Sequence, residues 1–159
     1  MKAIIFDAST LISLSMNGFF EEIRKLKKIF NGKFLITTEV KQEIIDKPLT
    51  IKQFELEALK LKQLLDDGVL EMPSSLNIDE KNVSSKTQDL INIANSTFMG
   101  NGKDIHLIDS GETSCLILSK ILNERKIVNI IAVDERTTRL LCEKPERLKK
   151  IMESKLHTR

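Results

Sequence analysis

Any chemistry in this chain has to rest on carboxylates. His106 and His157 are the only histidines and stand far apart in sequence, and Cys115 and Cys142 make no CxxC pair. That spacing argues against a zinc site, a redox dithiol and a histidine-centred triad, and it reads as two free intracellular thiols. The acids fall at more telling places. Asp7 directly follows the apolar run 3–6, and Asp134 directly follows the apolar run 130–133. Ligands of open α/β sheets bind outside the carboxyl ends of the strands, which is where these two acids would stand. Asp109 and Glu112 open the segment before the last apolar run, and Glu39 and Glu43 follow the run 34–36.

Carboxylates carried into one cleft by two strand ends and two helix starts would repel one another unless a cation lay among them. Carboxylate and water ligands suit Mg²⁺ or Mn²⁺, which keep coordination positions open for phosphate oxygens. Two such ions ~3.5–4 Å apart can activate a water and stabilise the leaving oxygen of a phosphodiester. Each acid also has a purely structural alternative. Asp109 and Glu112 have the spacing of a capping box, and Asp7 and Asp134 could each be a plain N-cap. Glu43 falls mid-helix, where no cap is needed; its alternative is an exposed i,i+4 pair with Lys47.

The elements that must position these acids can be read from periodicity. The run 3–6 suits a strand buried on both faces, and Ser9 or Thr10 can cap a short helix through Met16. Phe19, Phe20, Ile23, Leu26, Ile29 and Phe30 recur at helical spacing up to the stop at Asn31-Gly32. A second strand is expected at 34–36, then a helix capped by Thr37 or Thr38 that runs to about Asp46 and ends before Pro48. Ile51, Phe54, Ala58, Leu61, Leu64 and Leu65 predict an amphipathic helix closed by Asp67-Gly68. A brief third strand over 69–72 should stop at Pro73, and 74–83 reads as a loop, the most flexible segment of the chain. A helix over 84–98, a glycine-containing turn at 100–102, an apolar helix from Asp109 to Leu122, a strand over 127–133 and helices over 135–143 and 145–155 complete the reading. Strands separated by helical crossovers imply an α/β fold, three layers deep, with a central parallel sheet.

Composition bounds what remains. The 159 residues suit one domain with its own core. Lys and Arg number 25 against 23 Asp and Glu, a net charge of +2 that names no partner. No apolar run reaches the ~20 residues of a membrane span, and the N-terminal run is too short for a signal peptide. A cytoplasmic protein is expected. With no Trp or Tyr and seven Phe, a module that stacks a series of unpaired bases is disfavoured.

Four segments then resemble a known family. Ile4-Ile5-Phe6-Asp7-Ala8-Ser9-Thr10-Leu11-Ile12, Thr37-Thr38-Glu39-Val40-Lys41-Gln42-Glu43-Ile44-Ile45, Asp109-Ser110-Gly111-Glu112-Thr113-Ser114 and Ala132-Val133-Asp134-Glu135-Arg136-Thr137-Thr138-Arg139 look like the ordered motifs of PIN domains. The resemblance covers about residues 3–143 and rests on order and spacing together, because no single motif is specific. PIN domains are metal-dependent ribonucleases with a central parallel sheet, among them toxins of toxin–antitoxin pairs and rRNA-processing nucleases. The resemblance implies an endoribonuclease in which Asp7, Glu43, Glu112 and Asp134 hold Mg²⁺ or Mn²⁺, with Asp109 able to join them. Ser9 or Thr10 would match the small hydroxyl that orients the first acid. Arg139 would match a basic position of the fourth motif, although a solvated helix arginine fits its surroundings equally well. RNA is the implied substrate, and a homodimer and an antitoxin-like protein are the implied partners.

Two features depart from that pattern. PIN domains usually finish with a fifth short strand, whereas 144–159 reads as a charged helix, so the chain is either truncated or of a branch that ends differently. The segment 50–105 is long for a minimal toxin and leans towards a larger, archaeal-type member. Two other functions stay open. Phe6-Asp7-Ala8-Ser9-Thr10 faintly resembles the Asp-x-Asp-x-Thr loop of haloacid-dehalogenase-type phosphohydrolases, with Ser9 where the second Asp would stand. A non-catalytic RNA- or protein-binding module could instead use the basic stretches 24–28 and 147–150 on phosphates, although such stretches are more often solvated helix faces.

Overall fold

The computed structural model describes residues 1–97, 99–100, 103–104, 109–134, 143–144, 146–147 and 150. Strand β1 (Lys2–Phe6) leads at once into helix α1 (Ala8–Met16), and helix α2 (Phe20–Ile29) returns the chain to strand β2 (Lys33–Leu35). A side chain on Gly32 would collide with the Lys2 carbonyl and the Phe30 ring, so only glycine lets β2 start this close to β1. Helix α3 (Thr38–Lys41) runs on into a π-helical turn over Gln42–Asp46, and helix α4 (Glu55–Asp66) follows. Helix α5 (Glu80–Thr97) precedes the short strands β3 (Met99–Gly100) and β4 (Lys103–Asp104), which pair antiparallel. Helix α6 (Ser110–Glu124) and strand β5 (Val128–Ala132) complete the described elements.

Among the described residues the main sheet has three parallel strands in the order β2-β1-β5, which makes this a mixed α/β fold. Placing β1 centrally explains why its sequence is nearly all apolar. Ala3, Ile5 and Phe6 are buried, and the Phe6 and Phe34 rings meet edge to face at 5.2 Å. One core continues through Leu11, Val40, Ile44, Leu61, Leu64, Leu118 and Leu122, joining all the helices but α2's outer face to the strands. No helix of the described residues is long and apolar enough to cross a membrane.

Several expected boundaries need correction. Asp7, rather than Ser9 or Thr10, is the N-cap of α1. The third strand is absent: in 69–72 only Glu71 bridges Leu35, by Glu71 N–H to Phe34 O at 2.8 Å and Ile36 N–H to Glu71 O at 3.0 Å. Pro73, with no N–H to give, follows too soon for the pairing to extend. The expected loop 74–83 is largely ordered structure. A 3₁₀ turn spans Pro73–Leu76, Asn77 takes the left-handed conformation, and α5 begins at Glu80. Ile78 and Val83 are buried there, two apolar anchors too sparse to reveal a helix by period alone. The helix expected to about Asp46 widens into the π turn, with Lys47 N–H bonded to Gln42 O at 2.9 Å. Residues 101–102 of the expected turn, and most of the helices expected over 135–143 and 145–155, lie outside the described residues.

Glu71 also carries the main charge network beside the sheet. Lys27 donates to its Oε1 at 2.9 Å and Lys33 bonds Oε2. Burial pushes the Glu71 carboxyl up, but the hydrogen bonds from Lys33 and Lys27 outweigh it and hold the group below the usual range. A lowered folded value means that the network stabilises above the ordinary value of 4.5 and that this stabilisation is lost as pH falls below it. Glu71→Gln should therefore lower stability by about 1–3 kcal/mol at pH 7, as hydrogen bonds to charged groups do. Urea unfolding at pH 7 and at pH 3.5 checks this: the deficit should shrink at the lower pH, and an equal deficit at both would contradict the ionic account.

Candidate functional site

Three separate pieces of chain meet at the carboxyl end of β1. Thr37 caps α3 by accepting the Val40 N–H at 3.2 Å, and its hydroxyl meets that of Ser114 in α6 at 2.6 Å. The Cys115 thiol, one residue on, lies 3.7 Å from the Phe6 carbonyl. These buried contacts pin the start of α3 and the start of α6 to the strand end that delivers Asp7. The β5 end joins through Asp7 N–H to Ala132 O and Thr10 Oγ1 to Ala132 O, both at 3.0 Å.

Asp7 is buried, and its Oδ2 accepts the Ser9 hydroxyl at 2.5 Å and the Ser9 N–H at 3.2 Å. Of the two hydroxyls expected to orient this acid, Ser9 touches it and Thr10 does not. Oδ1 faces Gly111 instead. A Cβ at Gly111 would stand 3.1 Å from Glu43 Oε2 and 3.7 Å from Asp7 Oδ1, so the bare glycine is the space across which these two carboxylates approach. Asp134 is exposed; its Oδ2 accepts the Ser13 hydroxyl at 3.0 Å, and its N–H donates to Ser9 Oγ at 3.3 Å. Ser9 thus links the first and last acids. Ser13 was not singled out from sequence, although its place one helical turn after Ser9 was a usable signal.

Asp109 and Glu112 form the capping box that their spacing allows, with Asp109 N–H donating to Glu112 Oε2 at 3.4 Å. This supports their structural reading without removing them from the cluster, because Asp109 raises the Glu43 carboxyl's affinity for protons and Glu112 acts likewise on Cys115. The buried Cys115 thiol is pushed up by burial first, then by Asp7, with smaller contributions from Glu112 and Glu39. Asp7, Glu39 and Glu112 therefore all act electrostatically on one buried thiol. Glu39 adds a signal that sequence could not supply: its Oε2 is buried with no hydrogen-bond partner. Arg139 lies outside the described residues.

Glu43 and Lys47 form no ion pair among the described residues, and Lys47 only partly offsets the effects that raise Glu43. Partial burial is the largest of these, followed by the charges of Asp7 and Asp109. A raised folded value means that the folded state binds more protons than the unfolded chain, so stability is lost as pH rises from 4.5 through the folded value. Glu43→Gln should come close to the parent protein well below pH 4.5, where the carboxyl is largely protonated, and equal or exceed its stability at pH 7. A variant that loses ground to the parent as pH rises would contradict this. The measurement is chemical unfolding across that range without metal.

The donors suit a hard divalent cation in kind, being carboxylate oxygens that crowd one another and include one buried and unpaired. In placement they stop short of it. Among the described residues, no three acidic, histidine or cysteine side chains form a group that could hold a metal ion as they stand. Glu43, Asp109 and Asp134 are the exposed acids at the rim. The basic stretch 24–28 is largely engaged elsewhere: Arg24 pairs with Asp67 at 2.7 Å, Lys25 with Glu22 at 3.9 Å and Lys27 with Glu71. The chain matches no family model, no curated protein and no solved structure.

Proposed function

We propose that this protein is a PIN-like, metal-dependent endoribonuclease. The observation that carries the reading is the meeting of Asp7 and Glu43 across Gly111 at the carboxyl end of the central strand, with Asp134 joined to Asp7 through Ser9. Three of the four motif acids thus come from three distant segments to one end of one sheet. The strand order β2-β1-β5 supports the three-layer arrangement, because the crossover from β1 to β2 and the return from β2 past β1 to β5 run in opposite directions across the sheet, and right-handed connections of opposite direction cover opposite faces.

In this reading Asp7, Glu43, Glu112 and Asp134 hold Mg²⁺ or Mn²⁺, with Asp109 and Glu39 beside them. The ion, when bound, supplies Lewis acidity and a water acidic enough to attack a phosphodiester. The chain's own part is positional. Ser9 fixes the orientation of Asp7, Thr10 ties α1 to the end of β5, and Glu43 turns inward from an exposed rim. Arg139 is left as a candidate phosphate contact, and an antitoxin-like protein or a second copy as candidate partners. The test is incubation with single-stranded and structured RNA: cleavage should require Mg²⁺ or Mn²⁺ and stop on addition of EDTA. Cleavage unaffected by EDTA would overturn it.

A second reading, a non-catalytic RNA- or protein-binding module of the same fold, is favoured by the capping box that engages Glu112. Calorimetry separates the two, because only the first requires saturable binding of Mg²⁺ or Mn²⁺.

A further inference from the structure

Beside Glu43 a cleft of about 490 Å³ opens between α1, the turn after the π segment and the start of α4. Its walls are mostly apolar, from Ile12, Ile51 and Phe54, and its polar side chains are Ser15, whose hydroxyl donates to the Ile12 carbonyl, and Lys47, Gln53 and Glu57 together with Glu43 itself. We propose that this cleft holds one nucleobase of the RNA substrate, of the amino-bearing kind, next to the site of cleavage. The proposal rests on the ribonuclease reading and names the part of the substrate that would set its sequence preference.

Four observations choose this occupant. Glu43 lines both the cleft and the acid cluster, so a group seated in the cleft belongs to the same substrate as a group at the acids. The volume lies in the range of small-ligand pockets, roughly 300–1,000 Å³, enough for a base with its ribose. Phe54, 42% exposed, is the aromatic side chain that lines the cleft, and an accessible aromatic ring suits a planar base. A single ring suits one base, which agrees with a composition too poor in aromatics for a stacking series. Finally, Glu57, joined by Glu43 in the metal-free protein, stands with Gln53 against one lysine, which supplies acceptors for an occupant that donates N–H groups and does not favour an anionic one. Adenine, cytosine and guanine carry an exocyclic amine; uracil does not.

The test uses the full chain, isotopically labelled and free of metal, in two-dimensional NMR titrations with the neutral nucleosides adenosine, cytidine and uridine and with ribose. Adenosine and cytidine should shift the Ile12, Ile51 and Phe54 signals saturably, uridine should bind more weakly, and ribose should leave them unmoved. Phe54→Ala should weaken nucleoside binding about tenfold. Glu57→Gln should narrow the margin over uridine, and Leu59→Ala, an exposed change on α4 away from the cleft, should alter neither. No saturable shift at the cleft, an equal response to ribose, or shifts that follow protein concentration and so mark a second copy in the groove would each overturn the proposal. Because no metal or cleavage enters, nucleoside binding without nuclease activity would retain the base site and remove the ribonuclease reading. RNA cleavage by a protein that binds no nucleoside would do the reverse.

Discussion

Asp7→Asn is expected to remove nearly all metal-dependent RNA cleavage, by more than the about 10–100-fold that loss of even an outer-shell partner costs a metal site. The fold should survive the change. Asparagine caps helices about as well as aspartate, so the Ser9 N–H at the start of α1 keeps an acceptor. What is lost is the charge at the one buried acid of the cluster, whose Oδ1 faces Glu43 across Gly111. The measurement is the rate of product formation on a labelled RNA, with thermal unfolding run alongside. Undiminished cleavage by a folded variant would show that Asp7 is a helix cap only.

Asp134→Asn should separate structure from chemistry at the other end of the site. Asp134 is exposed, and its side-chain contact is the Ser13 hydroxyl, which asparagine can also satisfy. Metal-free stability should therefore stay within about 0.5 kcal/mol of the parent protein, or rise slightly as like charge is relieved. With metal at 100 times its dissociation constant the parent protein should gain about 2.7 kcal/mol, because a ligand that binds only the folded state stabilises by mass action. For a chain of this size that is a rise in Tm of about 5–10 °C. The variant should lose that rise. An apo variant that melts clearly lower, with the metal response intact, would make Asp134 structural.

How much of this was legible in sequence follows from where each signal is stored. Strand β1 and the acid that ends it were readable because a central strand covered on both faces must be a continuous apolar run, while β5 was readable from its apolar run although Val128 and Ile130 are exposed. The capping box and the Thr37 cap were readable because caps depend on a few neighbouring residues. The false strand at 69–72 and the false loop at 74–83 failed for the opposite reason. Glu71 pairs with only one residue of its neighbour, and α5 is anchored by Ile78 and Val83 against elements far away in the chain.

The site divides in the same way. That acids at strand ends and helix starts could converge on one cleft was readable from their places in the chain; the described residues show pairwise links, Asp7 with Glu43 at Gly111 and Asp7 with Asp134 through Ser9. That Gly111 is the gap between Asp7 and Glu43, that Ser13 holds Asp134 and that Glu39 buries an unpaired oxygen are facts of tertiary placement, invisible to periodicity. The π turn at Gln42–Asp46 belongs with them. It alters the helical register where Glu43 begins, and no residue type announces it.

The most direct test of the four-acid reading is a crystal of the full chain soaked in Mn²⁺, with anomalous scattering to locate the ion. The account predicts a peak at the carboxyl end of β1, bound by oxygens of Asp7, Glu43, Glu112 and Asp134, with Glu43 and Asp134 turned inward from their metal-free positions. A peak elsewhere, or none at saturating Mn²⁺, with Asp109 and Glu112 still closed in their capping box, would contradict it.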